Sequence, residues 1–203
     1  MKTGLIYQPC GLGDILFLQK LAYHIESQGY QIWWPVVHEF KWLSEYIPNF
    51  NWVSWGDDKE PITGPPLPDS CQFPFKNKYI HGAPTEITDE LFFFQGFWDA
   101  RPIMASKYNG IGLDWQDWRD HIKFKRNKEK EDKLYYEVLG LKDDTTYVLV
   151  NRRWCTRPRI EICNRISINP DDYGGAKVIE ATHIEGYSLF DWCKVIENAS
   201  AYN

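Results

Sequence analysis

Apolar residues follow two alternating rhythms along this chain. Thr3 to Tyr7 form a short apolar run that predicts a buried strand, and Gly11 to Gly13 predict a loop. Ile15, Leu18, Leu21, Ala22 and Ile25 then recur at three- and four-residue steps. That spacing predicts a helix over 15–28, stopped by Gly29. "QIWWPVV" is apolar throughout its middle, as parallel strands covered on both faces are. Strand, helix and strand in close succession make a βαβ unit. "HEFKWLSEYI" predicts a further helix and "NWVSW" a third strand.

The pattern then breaks. About residues 56–90 form a Pro-rich insertion whose first 31 residues hold six prolines and three glycines, a loop long enough to be functional or disordered. A helix is predicted over 102–108 and a short second one around Trp115. Periodicity resumes near Asn127. "KEKEDKLYYEVLGL" reads as an amphipathic helix ending at Gly140, "TYVLVN" as a strand, and "GAKVIEATH" as containing another. "SLFDWCKVIENAS" reads as a helix with Ser188 at its N-cap and Asp191 three residues on, an Asp version of the capping box. The expected fold class is α/β, with Rossmann-like parallel sheets and helices on both faces. The expected domains are 1–126 and 127–203. The second has about 75 residues, small for a stable α/β layer, and "ASAYN" leads toward a further strand, so this domain is expected to be incomplete.

Composition narrows the function. Ten Trp, twelve Tyr and eleven Phe among 203 residues exceed what a core of this size needs, and suit surfaces that stack on flat or sugar-like ligands. Trp33, Trp34, Trp42, Trp52 and Trp55 crowd the first domain, as core or as a stacking wall. A net charge of −5 argues against nucleic acid as partner. Five cysteines, an odd number without metal-binding spacing, fit reduced thiols in a cytoplasmic setting. The N-terminus does not read as a signal peptide, and no apolar run reaches the length of a membrane span.

The glycine loop carries the first candidate chemistry. "GLGDIL" has two glycines of a dinucleotide fingerprint and lacks the third, and no P-loop Lys-Ser/Thr follows. Asp14 would repel a phosphate from that helix terminus, so a nucleotide cofactor cradle is rejected. Two readings of Asp14 stay open. It caps the helix, or it is a carboxylate at the carboxyl end of the first strand, able to take a proton from an attacking hydroxyl. Cys10 beside the loop lacks an evident His partner and reads as packing. "NRRWCTRPR" packs four arginines after a strand end, where Arg152 and Arg153 either grip a diphosphate or belong to a solvated basic loop. His183 is expected to end the "KVIEATH" strand and to face a ligand there, or to serve as a structural hydrogen-bonder. His24 reads as packing, and His38, His81 and His121 have no evident metal partners.

"GLGDILFLQKLAYHI", with Gly11, Gly13 and Asp14, resembles the opening of GT-B fold glycosyltransferases of the heptosyltransferase type. "YVLVN" and "KVIEATHIEGYSLFDWCKVIENASAY" resemble strands, a loop and a helix of that family's nucleotide-sugar domain. The resemblance covers the two ends of the chain and leaves the middle unmatched. It implies transfer of a sugar from a nucleotide diphosphate sugar to an acceptor hydroxyl, with Asp14 as base and no metal or cofactor. It also implies an acceptor-side first domain and a donor-side second domain lacking its later strands. The partners so implied are a nucleotide sugar and a glycan or other hydroxyl acceptor. Two alternatives stand beside it: a non-catalytic glycan- or partner-binding α/β protein, and a GT-B nucleotide-sugar epimerase.

Overall fold

The computed structural model describes residues 2–54, 86–87, 91–95, 103–109, 111–151, 153–157, 160–163 and 169–202. The chain folds as two compact units, Met1–Phe124 and Lys125–Asn203. Each is a small α/β unit with a mostly parallel principal sheet.

In the first unit β1 (Lys2–Tyr7), β2 (Tyr30–Val36), β3 (Asn51–Ser54), β4 (Glu86–Ile87) and β5 (Leu91–Gln95) form one sheet in the order β3-β2-β1-β5-β4. All neighbours run parallel except β4, which pairs antiparallel with β5. Thr3, Gly4, Leu5 and Ile6 are buried in succession, so β1 is covered on both faces. Trp33, Trp34 and Trp52 belong to the core, with Trp34 and Trp52 stacked at 5.5 Å between ring centroids. Trp42 meets Phe40 and Tyr46 edge-on, and Trp55 lies outside the described residues.

The first helix differs from its sequence reading. It starts three residues earlier, as α1 (Leu12–Phe17), breaks at Leu18 and resumes as α2 (Gln19–Ser27). Gly11, at φ +80°, takes the N-cap position and turns the chain there, a conformation glycine adopts without steric cost. Gly13 is therefore in the helix, not the loop, and Asp14 makes no capping hydrogen bond. The helix α4 (Ile103–Asn109) follows β5, and a 3-10 turn spans Trp118–His121. Between the earlier strands, the expected helix is a 3-10 turn, His38–Phe40, followed by α3 (Leu43–Tyr46).

In the second unit β6 (Tyr147–Val150), β9 (Lys177–Glu180) and β10 (Ala201–Tyr202) form a parallel sheet in the order β10-β6-β9. All four residues of β6 are buried. Leu134, Tyr135, Leu141, Leu149, Ile179, Trp192 and Val195 cluster together in the core. The helix α5 (Lys128–Asp132) runs on as a π-helical segment, Lys133–Val138. A 3-10 turn, Leu189–Trp192, leads into α6 (Cys193–Glu197) and opens with the expected capping box, the Ser188 amide donating to Asp191 Oδ2 at 2.7 Å. The arginine-rich segment is more than a loop. Arg153–Arg157 is a strand, β7, paired antiparallel with β8 (Ile160–Cys163). Among the described residues no helix is long and apolar enough to cross a membrane.

Candidate functional site

In the first sheet the chain moves outward from β1 through β2 to β3, then returns to the other side of β1 as β5. The strand order reverses between β1 and β5. In open α/β sheets ligands bind outside the carboxyl ends of the strands at such a reversal. The β1–α1 loop leaves the carboxyl end of β1, and α4 follows β5, so both belong to that edge.

Asp14 and Lys107 meet there. Lys107 Nζ donates to Asp14 Oδ1 at 2.5 Å and to Gln8 Oε1 at 3.1 Å, and Gln8 Nε2 donates to the Cys10 carbonyl at 2.7 Å. The burial of the pair is asymmetric: the Lys107 side chain is 3% exposed and that of Asp14 39%. Gly11 borders the same carboxylate, since a Cβ built on it would stand 2.7 Å from Asp14 Oδ2. Gly13 has open space around it. The loop is braced from β2 as well. The Val37 amide donates to the Pro9 carbonyl at 2.9 Å, and Trp34 Nε1 donates to the Gln8 carbonyl at 3.2 Å. The arrangement offers a fixed, partly solvent-facing carboxylate with a buried cation behind it. A group so placed can accept a proton or a hydroxyl hydrogen bond.

A second candidate site lies in the other unit. A cavity of about 250 Å³ opens beside the carboxyl ends of β6 and β9, lined by Leu149, Asn151, Thr182, His183, Tyr187 and Trp192, among others. His183 is not at a strand end, because β9 stops at Glu180 and His183 stands in the loop beyond it. Asn151, which the sequence reading passed over, directly follows β6 and contributes a buried Oδ1 without a hydrogen-bond partner among the described residues. Its position directly after an apolar strand was the signal that marks it. Leu189 and Ile196, exposed by 53% and 43%, also border this cavity.

Of the two arginines expected nearby, Arg152 lies outside the described residues, and Arg153 is placed on β7 by its backbone. Sequence reasoning also missed Lys107, a single lysine in an otherwise short helix. Among the described residues no group of three or more His, Cys, Asp and Glu side chains is arranged to hold a metal ion. His24 is half-buried beside Gln28, with 2.9 Å between the two side-chain nitrogens, and His121 contacts Asp117 at 3.3 Å. Burial raises the Cys193 thiol above its ordinary range, which leaves it a poor nucleophile. No protein family, no curated protein and no solved structure matches the chain.

Proposed function

We propose that this chain is a glycosyltransferase-like protein of the heptosyltransferase type, with two Rossmann-like units in the GT-B manner. It transfers a sugar from a nucleotide diphosphate sugar to an acceptor hydroxyl. The observation that carries this reading is Asp14. It is a partly exposed carboxylate, it caps no helix, and it stands at the sheet edge where the strand order reverses. That Asp14 makes no capping hydrogen bond supports the base reading of the two that its position raised.

In this reaction the acceptor oxygen bonds to the anomeric carbon. The bond from that carbon to the diphosphate oxygen breaks, and its electron pair leaves with the diphosphate. The acceptor proton passes to Asp14. A carboxylate is a weak base toward a free hydroxyl, but the hydroxyl becomes strongly acidic as its oxygen bonds to carbon, so a late proton transfer suits it. The cavity of the second unit is the proposed donor pocket, with His183 and Asn151 among its polar groups. Arg152 and Arg153, next in sequence to Asn151, are proposed for the diphosphate, whose developing charge protein cations can offset.

The test is Asp14→Asn, assayed as release of nucleoside diphosphate from a panel of UDP-, GDP-, ADP- and dTDP-sugars, with a simple glycoside or water as the acceptor hydroxyl. Turnover is expected to fall by about 10²–10⁴-fold, the span of general-base contributions. Donor binding, measured calorimetrically, is expected to stay within twofold of wild type, about the scatter of the method. Undiminished turnover in this variant would remove Asp14 as base.

A further inference from the structure

The side chain behind Asp14 raises a question that the base assignment alone does not answer. Lys107 is buried and its partner carboxylate is not. For stability alone the placement is poor, because an enclosed ammonium loses its hydration, and apolar residues of similar volume often serve as well as a buried ion pair. The contacts are directional. The ammonium donates to Asp14 Oδ1 at 2.5 Å and to Gln8 Oε1 at 3.1 Å, and Gln8 is held in turn by the Cys10 carbonyl.

The other carboxylate oxygen is treated differently. Asp14 Oδ2 lies against Gly11, where any side chain would crowd it at 2.7 Å. Among the described residues it has no hydrogen-bond donor. Lys107 and Gly11 are 96 positions apart in the sequence (107 − 11), yet both converge on one carboxylate. One oxygen is tied from behind and the other is kept clear.

We propose that Lys107 is a positioning residue that holds Asp14 Oδ1 so that Oδ2 becomes the proton-accepting atom. This rests on the reading of Asp14 as the base. The acceptor's proton moves to Oδ2 as its oxygen bonds to the anomeric carbon, while the Lys107 N–H bond stays on Oδ1 and Lys107 gives up no proton. Being buried, Lys107 meets no substrate. It acts through the carboxylate, by denying it rotation about Cβ–Cγ and tilt toward solvent.

The experiment compares the full chain with Lys107→Met, Lys107→Arg, Gln8→Leu and Asp14→Asn in the same nucleoside diphosphate release assay, with circular dichroism confirming the fold. Lys107→Met is expected to lower kcat by about a hundredfold, the cost of a small misplacement of a reacting group. KM for the donor should remain within twofold, and Lys107→Arg should recover at least tenfold of the loss. Gln8→Leu frees the ammonium without removing its charge and is expected to lose about tenfold, so the test survives if Lys107→Met does not fold. Wild-type kcat in Lys107→Met or Gln8→Leu, with Asp14→Asn inactive, would overturn the positioning role and leave the base intact. Turnover surviving in Asp14→Asn would remove both. A wild-type chain that turns over none of the donors would also remove both, since a carboxylate without chemistry needs no positioning.

Discussion

Arg126 offers the sharpest test of how the second unit is held together. Its guanidinium grips Glu131 with two donors, Nε to Oε1 at 2.7 Å and a terminal nitrogen to Oε2, and reaches Glu197 Oε2 at 2.8 Å. The Glu131 side chain is fully buried, whereas that of Arg126 is 24% exposed. Arg126→Met would leave Glu131 with Lys128, a mostly solvated ammonium 3.7 Å away. Breaking a buried pair by removing one partner costs about 3–5 kcal/mol, and an exposed ammonium returns at most about 1 kcal/mol. The expected net loss is therefore about 3 kcal/mol. The readout is hydrogen exchange at the amides of Val148 and Leu149, which are buried in β6 and report the opening of this unit alone. A loss of that size speeds their exchange by about a hundredfold. Pairing Arg126→Met with Glu131→Leu removes the stranded charge and should recover all but about 1 kcal/mol. Acceleration of less than threefold in the single variant would refute the reasoning, as would a double variant less stable than the single.

Three further outcomes follow from the same geometry and from the glycine turn. The hydrogen bond from Arg126 holds the Glu197 carboxyl below its ordinary value of 4.5. A depressed carboxyl stabilises the fold above its unfolded value, and that contribution is lost as pH falls through the folded one. Glu197→Gln should therefore flatten the acid limb of melting temperature between pH 5 and 3, and an unchanged limb would count against the pairing. Gly11→Ala places a side chain at φ +80° and against Asp14 Oδ2, so it should cost about 1–2 kcal/mol in thermal unfolding. Gly13→Ala meets open space in the first turn of α1 and should gain up to about 1 kcal/mol.

What the sequence discloses here is mostly local. The β1, β2 and β6 strands show as apolar runs because both their faces are covered, and the capping box of Ser188 and Asp191 shows because its two members stand three residues apart. The start of α1 misleads because the apolar repeat begins at Ile15, while Gly11 has already turned the chain. The strand β5 is missed for a different reason. "LFFFQ" is an apolar run like the others, but it stands just after the Pro-rich insertion, and what fixes it as a strand is its distant partner β1, with Thr3 facing Leu91. The β7–β8 hairpin is missed because its arginines read as solvent-facing loop. At the candidate site Asp14 and Gly11 stand out through their spacing, whereas Lys107 belongs to the site only once β5 has brought α4 to that edge.

The placement of β1 also bears on how the chain is made. Thr3 and Leu91 are 88 positions apart (91 − 3), and β1 is central in its sheet. Once Ser54 has emerged from the ribosome, β1 can pair with β2 and β2 with β3, but the other edge of β1 has to wait until Leu91 emerges. The 37 residues 55–91 (91 − 54) take roughly two to seven seconds to add at cellular rates of translation. Throughout that interval a nascent three-stranded sheet displays an unpaired edge with Leu5 and Ile6 in it, the kind of surface on which chains join one another. The strand at the centre of the finished unit is thus its most vulnerable part during synthesis, and chaperone protection matters most before β5 is made.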